Sequence, residues 1–210
     1  VALGLRWNDA RHAQEHLARG VALLEVPMER VTAPESLDWH HAEEAFAQAR
    51  SLHGDEAEVR RATALWHAAR ALGDLARGEV VLSHTESQTA ARLAPDEPAV
   101  MYVQALVTLR RGDSARAERL FEALSRAPGA AALRVRARVH RLDLLTRGGR
   151  GHDALALAES LDREFARCAP VANRVGLARA AVGDQEGARQ AFDRAREINA
   201  AAVACARRAA

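Results

Sequence analysis

The sequence contains no lysine: all thirty residues of the Lys+Arg total are arginine. That absence removes every chemistry that needs a lysine, including Schiff-base catalysis, the phosphate-loop lysine and the kinase-type strand lysine. Cysteine is nearly absent too, with only Cys168 and Cys205 and no Cys-x-x-Cys, which excludes zinc-knuckle and thioredoxin-like sites. Aromatic residues make up 4% of the chain. No apolar run approaches the roughly 18 residues that a membrane-spanning helix needs, so no transmembrane span is expected. Nor is there an excess of one charge: the formal net charge is +2. A nucleic-acid binder concentrates much more positive charge on one surface, so no nucleic-acid partner is expected.

What is present is alanine, with 49% hydrophobic and 28% charged residues over 210 positions, enough to bury a sizeable core. Alanine has the highest helix propensity and lets helix backbones approach closely. Arginine used to the exclusion of lysine fits a GC-rich bacterial genome, and the expected compartment is the cytoplasm or the periplasm and outer-membrane surface. A start at Val1 is expected of a processed chain or of a segment of a longer one.

Apolar periodicity predicts helices throughout. Ala10, Ala13, Leu17, Val21 and Leu24 share one face between Trp7 and Leu24. Pro27 and Pro34 break the pattern, so a loop is expected from about Val26 to Leu37. Helices are then expected over Asp38–Leu52, Glu56–Arg77 with an end or kink at Gly73-Asp74, Gly78–Leu93, Glu97–Arg111, Ser114–Arg126, Ala131–Arg147, His152–Arg167, Pro170–Val182 and Gln185–Ile198. Residues 200–210 read as a separate capping helix, which leaves 1–37 as an N-terminal helix and loop and 38–199 as the body. The fourth helix is unusually polar around Ser83, His84 and Ser87.

Within the body the chain repeats itself. Gly183-Asp184 opens a helix whose stripe is Ala188, Phe192, Ala195 and Ile198; Gly112-Asp113 opens Ala117, Phe121 and Leu124; Gly149 precedes Ala154, Ala158 and Leu161. Gly78, Gly112, Gly149 and Gly183 lie 34, 37 and 34 residues apart. Two helices per period near 34 is the mark of an α-solenoid.

This spacing resembles the tetratricopeptide repeat (TPR), a helix-turn-helix unit with glycine at the turn, alanine five residues later, a large residue four beyond and proline near the end. Gly183, Ala188, Phe192 and Ala195 carry the resemblance, as do Gly112, Ala117, Phe121 and Pro128, and more weakly Gly149 with Ala154 and Leu161 and Gly78 with Pro95. The resemblance implies an all-α, right-handed superhelix of about five antiparallel helix pairs. It also implies a non-enzymatic protein–protein interaction module whose first helices line a concave groove for a peptide or helix of a partner. In that register the groove residues are Tyr102, Leu106, Arg110, Arg136, His140, Asp143, Arg147, Asn173, Arg174 and Leu177.

Other chemistry is thinner. His12-Ala-Gln-Glu-His16 matches an H-x-x-E-H zinc-peptidase pattern, yet a third ligand and a cleft have no identifiable source, and a surface helix explains it. His40 and His41 are adjacent and point to different helix faces. Arg134, Arg136, Arg138 and Arg141 form the densest basic segment, expected to be a solvated face in the absence of interleaved aromatics. Cys168 and Cys205 lie near the starts of neighbouring first-type helices, so a disulfide is open to them in an oxidising compartment, beside the plainer reading of two thiols. No cofactor or metal is expected. The functional expectation is an adaptor or assembly factor in a bacterial complex; the alternatives are the body of an envelope lipoprotein assisting pilus, secretion or outer-membrane assembly, and a regulatory segment of a larger enzyme.

Ala117, Ala154 and Ala188 mark helix crossings, so Ala117→Leu is expected to overpack its junction at about 1–3 kcal/mol, read as a lower urea midpoint at unchanged slope.

Overall fold

The computed structural model describes residues 2–24, 38–52 and 55–209, with side chains over 9–24, 38–52 and 55–201. Ten helices account for the regular structure among them: α1 Ala2–Leu24, α2 Trp39–Leu52, α3 Glu56–Ala76, α4 Val80–Leu93, α5 Pro98–Arg110, α6 Ser114–Arg126, α7 Ala131–Arg147, α8 Gly151–Glu164, α9 Ala169–Ala181 and α10 Gln185–Ala209. The expected loop over 26–37 and the side chain of Cys205 lie outside the described residues. Two compact units divide the chain within α7. The first carries α1 to α6 and runs to Arg134; the second begins at Val135 and carries most of α7 with α8 to α10.

The four spaced glycines each close the first helix of a pair in the same way. After α3, α5, α7 and α9 the glycine has φ of +81°, +89°, +73° and +85°, a left-handed conformation that costs a residue without Cβ little. The next residue's N–H then reaches back five positions: Glu79 to the Asp74 carbonyl at 2.8 Å, Asp113 to Thr108 at 3.2 Å, Arg150 to Leu145 at 3.0 Å and Asp184 to Arg179 at 3.0 Å. This is the Schellman closure, which satisfies carbonyls the helix end would orphan. Asp113 and Asp184 also start the following helix, their carboxylates accepting the N–H of Arg116 at 3.0 Å and of Gly187 at 2.9 Å. One dipeptide thus ends one helix and begins the next, fixing the hairpin.

In three of the five pairs a ring on the second helix stands opposite a small residue on the first. A Cβ on Gly20 would sit 2.5 Å from the Phe46 ring, and one on Gly176 2.6 Å from Phe192. The equivalent positions are Ala105 and Phe121 in α5/α6, both fully buried, and Leu142 and Ala158 in α7/α8, where the large and small partners have changed places. Phe192 is only half-buried, whereas Phe121 is fully buried. In the second unit Val139, Leu142, Leu145, Ala154, Ala158, Leu161, Val171, Val175, Ala178 and Ala191 form one core.

Two expectations change. Gly73-Asp74 does not break α3: Gly73 lets the Trp39 ring lie against the helix, where a Cβ would come within 2.7 Å, and Asp74 pairs with Arg77 at 2.6 Å. Asp55 caps the start of α3, accepting the Ala57 N–H at 2.7 Å. Helix α10 continues through Asn199 to Ala209 without a break, because the alanine-rich sequence there has nothing to interrupt it.

The exchange in α7/α8 generates a prediction. Leu142→Ala is expected to cost about 2–5 kcal/mol and Ala158→Phe about 1–3 kcal/mol. Together they recreate the Ala105/Phe121 combination, so a double-mutant cycle by urea unfolding is expected to show a loss smaller than the sum by about 1 kcal/mol or more.

Candidate functional site

The expected groove residues fall on three first helices, and the structure treats them differently. On α5, Tyr102 and Leu106 are buried, at 2% and 4% exposure, with the Tyr102 ring 6.3 Å from that of Phe121. The reason is compositional: Ala99, Val100, Val103, Ala105 and Val107 make most of α5 apolar, with Gln104 and Thr108 one turn apart as its polar side. Only Arg110, at its end, is exposed. Arg136 is also buried, at 1%, because it follows Leu133 by one turn and precedes Ala137 on the inward stripe of α7. Tyr102, Leu106 and Arg136 therefore offer no surface to a partner, and the basic segment is not a free solvated face. Arg138 reaches the Ser160 hydroxyl at 2.9 Å and pairs with Glu164, and Arg134 points at the Ala127 carbonyl.

The remaining six lie on α7 and α9 of the second unit. His140, Asp143 and Arg147 recur at three and four residues along α7; Asn173, Arg174 and Leu177 do so along α9. Arg174 Nε donates to both Asp143 carboxylate oxygens, at 3.1 and 3.2 Å, and its Nη1 donates to the Pro170 carbonyl at 3.2 Å. That bridge ties the two first helices. Asn173 and Arg147 are exposed, and Leu177 is 51% exposed, an apolar side chain standing among polar ones. Burial, then the Arg174 and Arg136 guanidiniums, hold the His140 imidazole at about 4, below its ordinary 6.5.

A second concave feature lies in the first unit and was not expected. His84, Ser87 and Gln88 of α4, Gln104 and Thr108 of α5, and Arg111, Asp113 and Arg116 line a cleft of about 140 Å³. The polar run Ser83, His84, Ser87 was its sequence signal. Ser83 is fully buried and donates to the Ala71 carbonyl at 2.8 Å, so a serine at an alanine position bonds across the pair.

Elsewhere the candidate histidines stand on or near the surface, and the described cysteine does not. His12 is exposed on α1, and no cluster of three or more His, Cys, Asp or Glu side chains that could hold a metal ion occurs among the described residues. His41 pairs with Asp38 at 2.8 Å and His40 with Glu44 at 3.5 Å. Cys168 is buried at the N-cap of α9. No described helix is long and apolar enough to cross a membrane.

This array of helix pairs is similar in fold to YrrB, a TPR protein with an unusual peptide-binding site. The TM-score is 0.54 at 14% identity, over 77% of this chain and 78% of YrrB. The repeats are TPR-like. The fold is accordingly an all-α solenoid of TPR-like helix pairs. A second TPR-like match is to the human IFIT1 dimer with m7Gppp-AAAA, with a TM-score of 0.52 at 18% identity, over 89% of this chain and 40% of that one. The chain thus spans two fifths of the IFIT1 chain. No protein-family model matches the sequence, and comparison with curated proteins finds no match.

The His140 position sets a pH response within the TPR-like second unit. The unfolded chain takes up a proton near pH 6.5 and the folded one only near 4, so stability is full above pH 6.5 and falls as pH drops through that window. His140→Gln is expected to flatten the decline in urea midpoint between these two pH values.

Proposed function

We propose that the chain is a non-enzymatic protein–protein interaction module, an adaptor or assembly factor in a bacterial complex. It binds a peptide or helix of its partner on the face that α7 and α9 present in the second unit. The observation that carries this reading is Leu177. A large apolar side chain half open to solvent, beside Asn173 and next to a braced Arg174–Asp143 pair, is the composition of a recognition surface: one apolar anchor among fixed polar groups. The peptide-binding site of YrrB, on a similar fold, supports a peptide as ligand. The bridge holds Asp143 and Arg174 in place, so a partner meets a preorganised surface.

The m7Gppp-AAAA held with IFIT1 supplies the competing reading, a nucleic acid. The mild net charge of +2 weighs against it, and on the α7/α9 face Arg174 is already committed to the Asp143 carboxylate.

A photo-crosslinking residue at position 177 of the full chain, irradiated in the native source, is expected to capture a protein. Leu177→Asp in the same capture is expected to lower the yield about tenfold, with thermal unfolding unchanged because the side chain is largely exposed. Capture of nucleic acid alone, or full yield from Leu177→Asp, would remove the proposal.

A further inference from the structure

The cleft in the first unit lies beside a departure from the repeat. Ser87 stands at the register position that Phe121 fills in α6 and Phe192 in α10. Its hydroxyl turns back onto its own helix, donating to the His84 carbonyl at 2.9 Å, and the residue lines the cleft of about 140 Å³.

Its lining is cationic. Arg111 Nη1 lies 2.8 Å from His84 Nε2 and 3.3 Å from Nδ1, and the Gln88 side-chain nitrogen lies 2.9 Å from the same Nε2. Arg116 faces the cleft from the first turn of α6. Neither guanidinium has an ion-pair partner among the described residues. Other arginines of the unit are differently placed: Arg61 pairs with Glu97 at 2.7 Å and Arg77 with Asp74 at 2.6 Å. The one carboxylate at the rim, that of Asp113, accepts the Arg116 backbone N–H. Two positive side chains therefore face one negative in a partly enclosed polar space. Burial, followed by Arg111 and Arg116, holds the His84 imidazole below its ordinary value.

We propose that this cleft binds a doubly charged tetrahedral oxyanion of the phosphate monoester class, held between the Arg111 and Arg116 guanidiniums with the Gln88 and Gln104 amides as neutral donors. The space is too small for a folded segment and large enough for one such group. Guanidinium forks match its oxygens in pairs, and a dianion offers acceptors to all four side chains at once. The group arrives as free phosphate or on a phosphorylated residue of a bound protein. The site is separate from the α7/α9 face and stands whether or not that face binds a peptide.

Sulfate is the probe, because it stays doubly charged across the range in which phosphate and histidine both titrate. In the full chain, the His84 Cε1–H resonance is followed by NMR during sulfate addition at constant ionic strength, with chloride as the reference anion. A saturable one-to-one shift is expected, together with a rise in the His84 midpoint as the anion offsets the two guanidiniums. Arg116→Gln, at an exposed position, is expected to weaken binding about tenfold or more, the scale of a lost charge-assisted hydrogen bond. Arg111→Gln, also at an exposed position, is expected to weaken binding likewise with thermal unfolding unchanged. A linear response shared with chloride, saturation at another histidine with His84 unmoved, or wild-type affinity in Arg116→Gln would overturn the proposal. With binding established, a phosphoserine peptide that binds more tightly than inorganic phosphate assigns the group to a protein partner, and equal affinities assign it to the free anion.

Discussion

The fold depends on one steric rule: within a helix pair, a bulky residue on one helix needs a small residue directly across from it. Gly20 under Phe46 and Gly176 under Phe192 show the rule at its tightest, since any Cβ there would overlap the ring. Leu142 with Ala158 shows that the rule concerns summed volume and is indifferent to which helix supplies the bulk. Alanine is abundant because most crossings need a residue that fills little space and keeps the helix intact. The Schellman glycines then set the angle at which each second helix returns, so that bulk and gap meet.

Much of this was legible in the residues. The turn glycines, the aspartate caps at positions 113 and 184, and the alanine-phenylalanine stripes lie at fixed spacings, and local geometry reads them directly. Legibility failed where tertiary surroundings decide. Gly73 looks like a helix breaker in sequence but serves the Trp39 ring, which lies 34 residues away. The groove register placed Tyr102 and Leu106 on a surface, whereas both lie on the covered apolar sides of α5. Their neighbours Val100, Val103 and Val107 already spelled that burial. Arg136 misled for the opposite reason: a guanidinium is usually solvated, and this one follows the inward stripe of Leu133 and Ala137.

Where the repeat departs from its own pattern, polar function becomes possible. The serines at 83 and 87 replace an alanine and a phenylalanine, and the pair remains closed because Ser83 bonds to the Ala71 carbonyl. One substitution thus preserves the joint while the other lines the polar cleft beside it. The second unit uses a different means: the Arg174–Asp143 bridge fixes two first helices and leaves Leu177 standing clear. A partly exposed pair of this kind contributes only about 0–1 kcal/mol to stability, so its main effect is to orient.

The apolar character of α5 also bears on how the chain is made. Synthesis proceeds from the N-terminus, so Pro98–Arg110 emerges from the ribosome before Ser114–Arg126 does. For that interval the valine-rich sides of this thirteen-residue segment lack the cover that α6 gives them. It is bounded by Asp96 and Glu97 on one side and Arg110 and Arg111 on the other, charges placed where gatekeepers interrupt a sticky stretch. The flanking charges thus disfavour misassociation of the nascent chain while its fifth helix waits for its sixth.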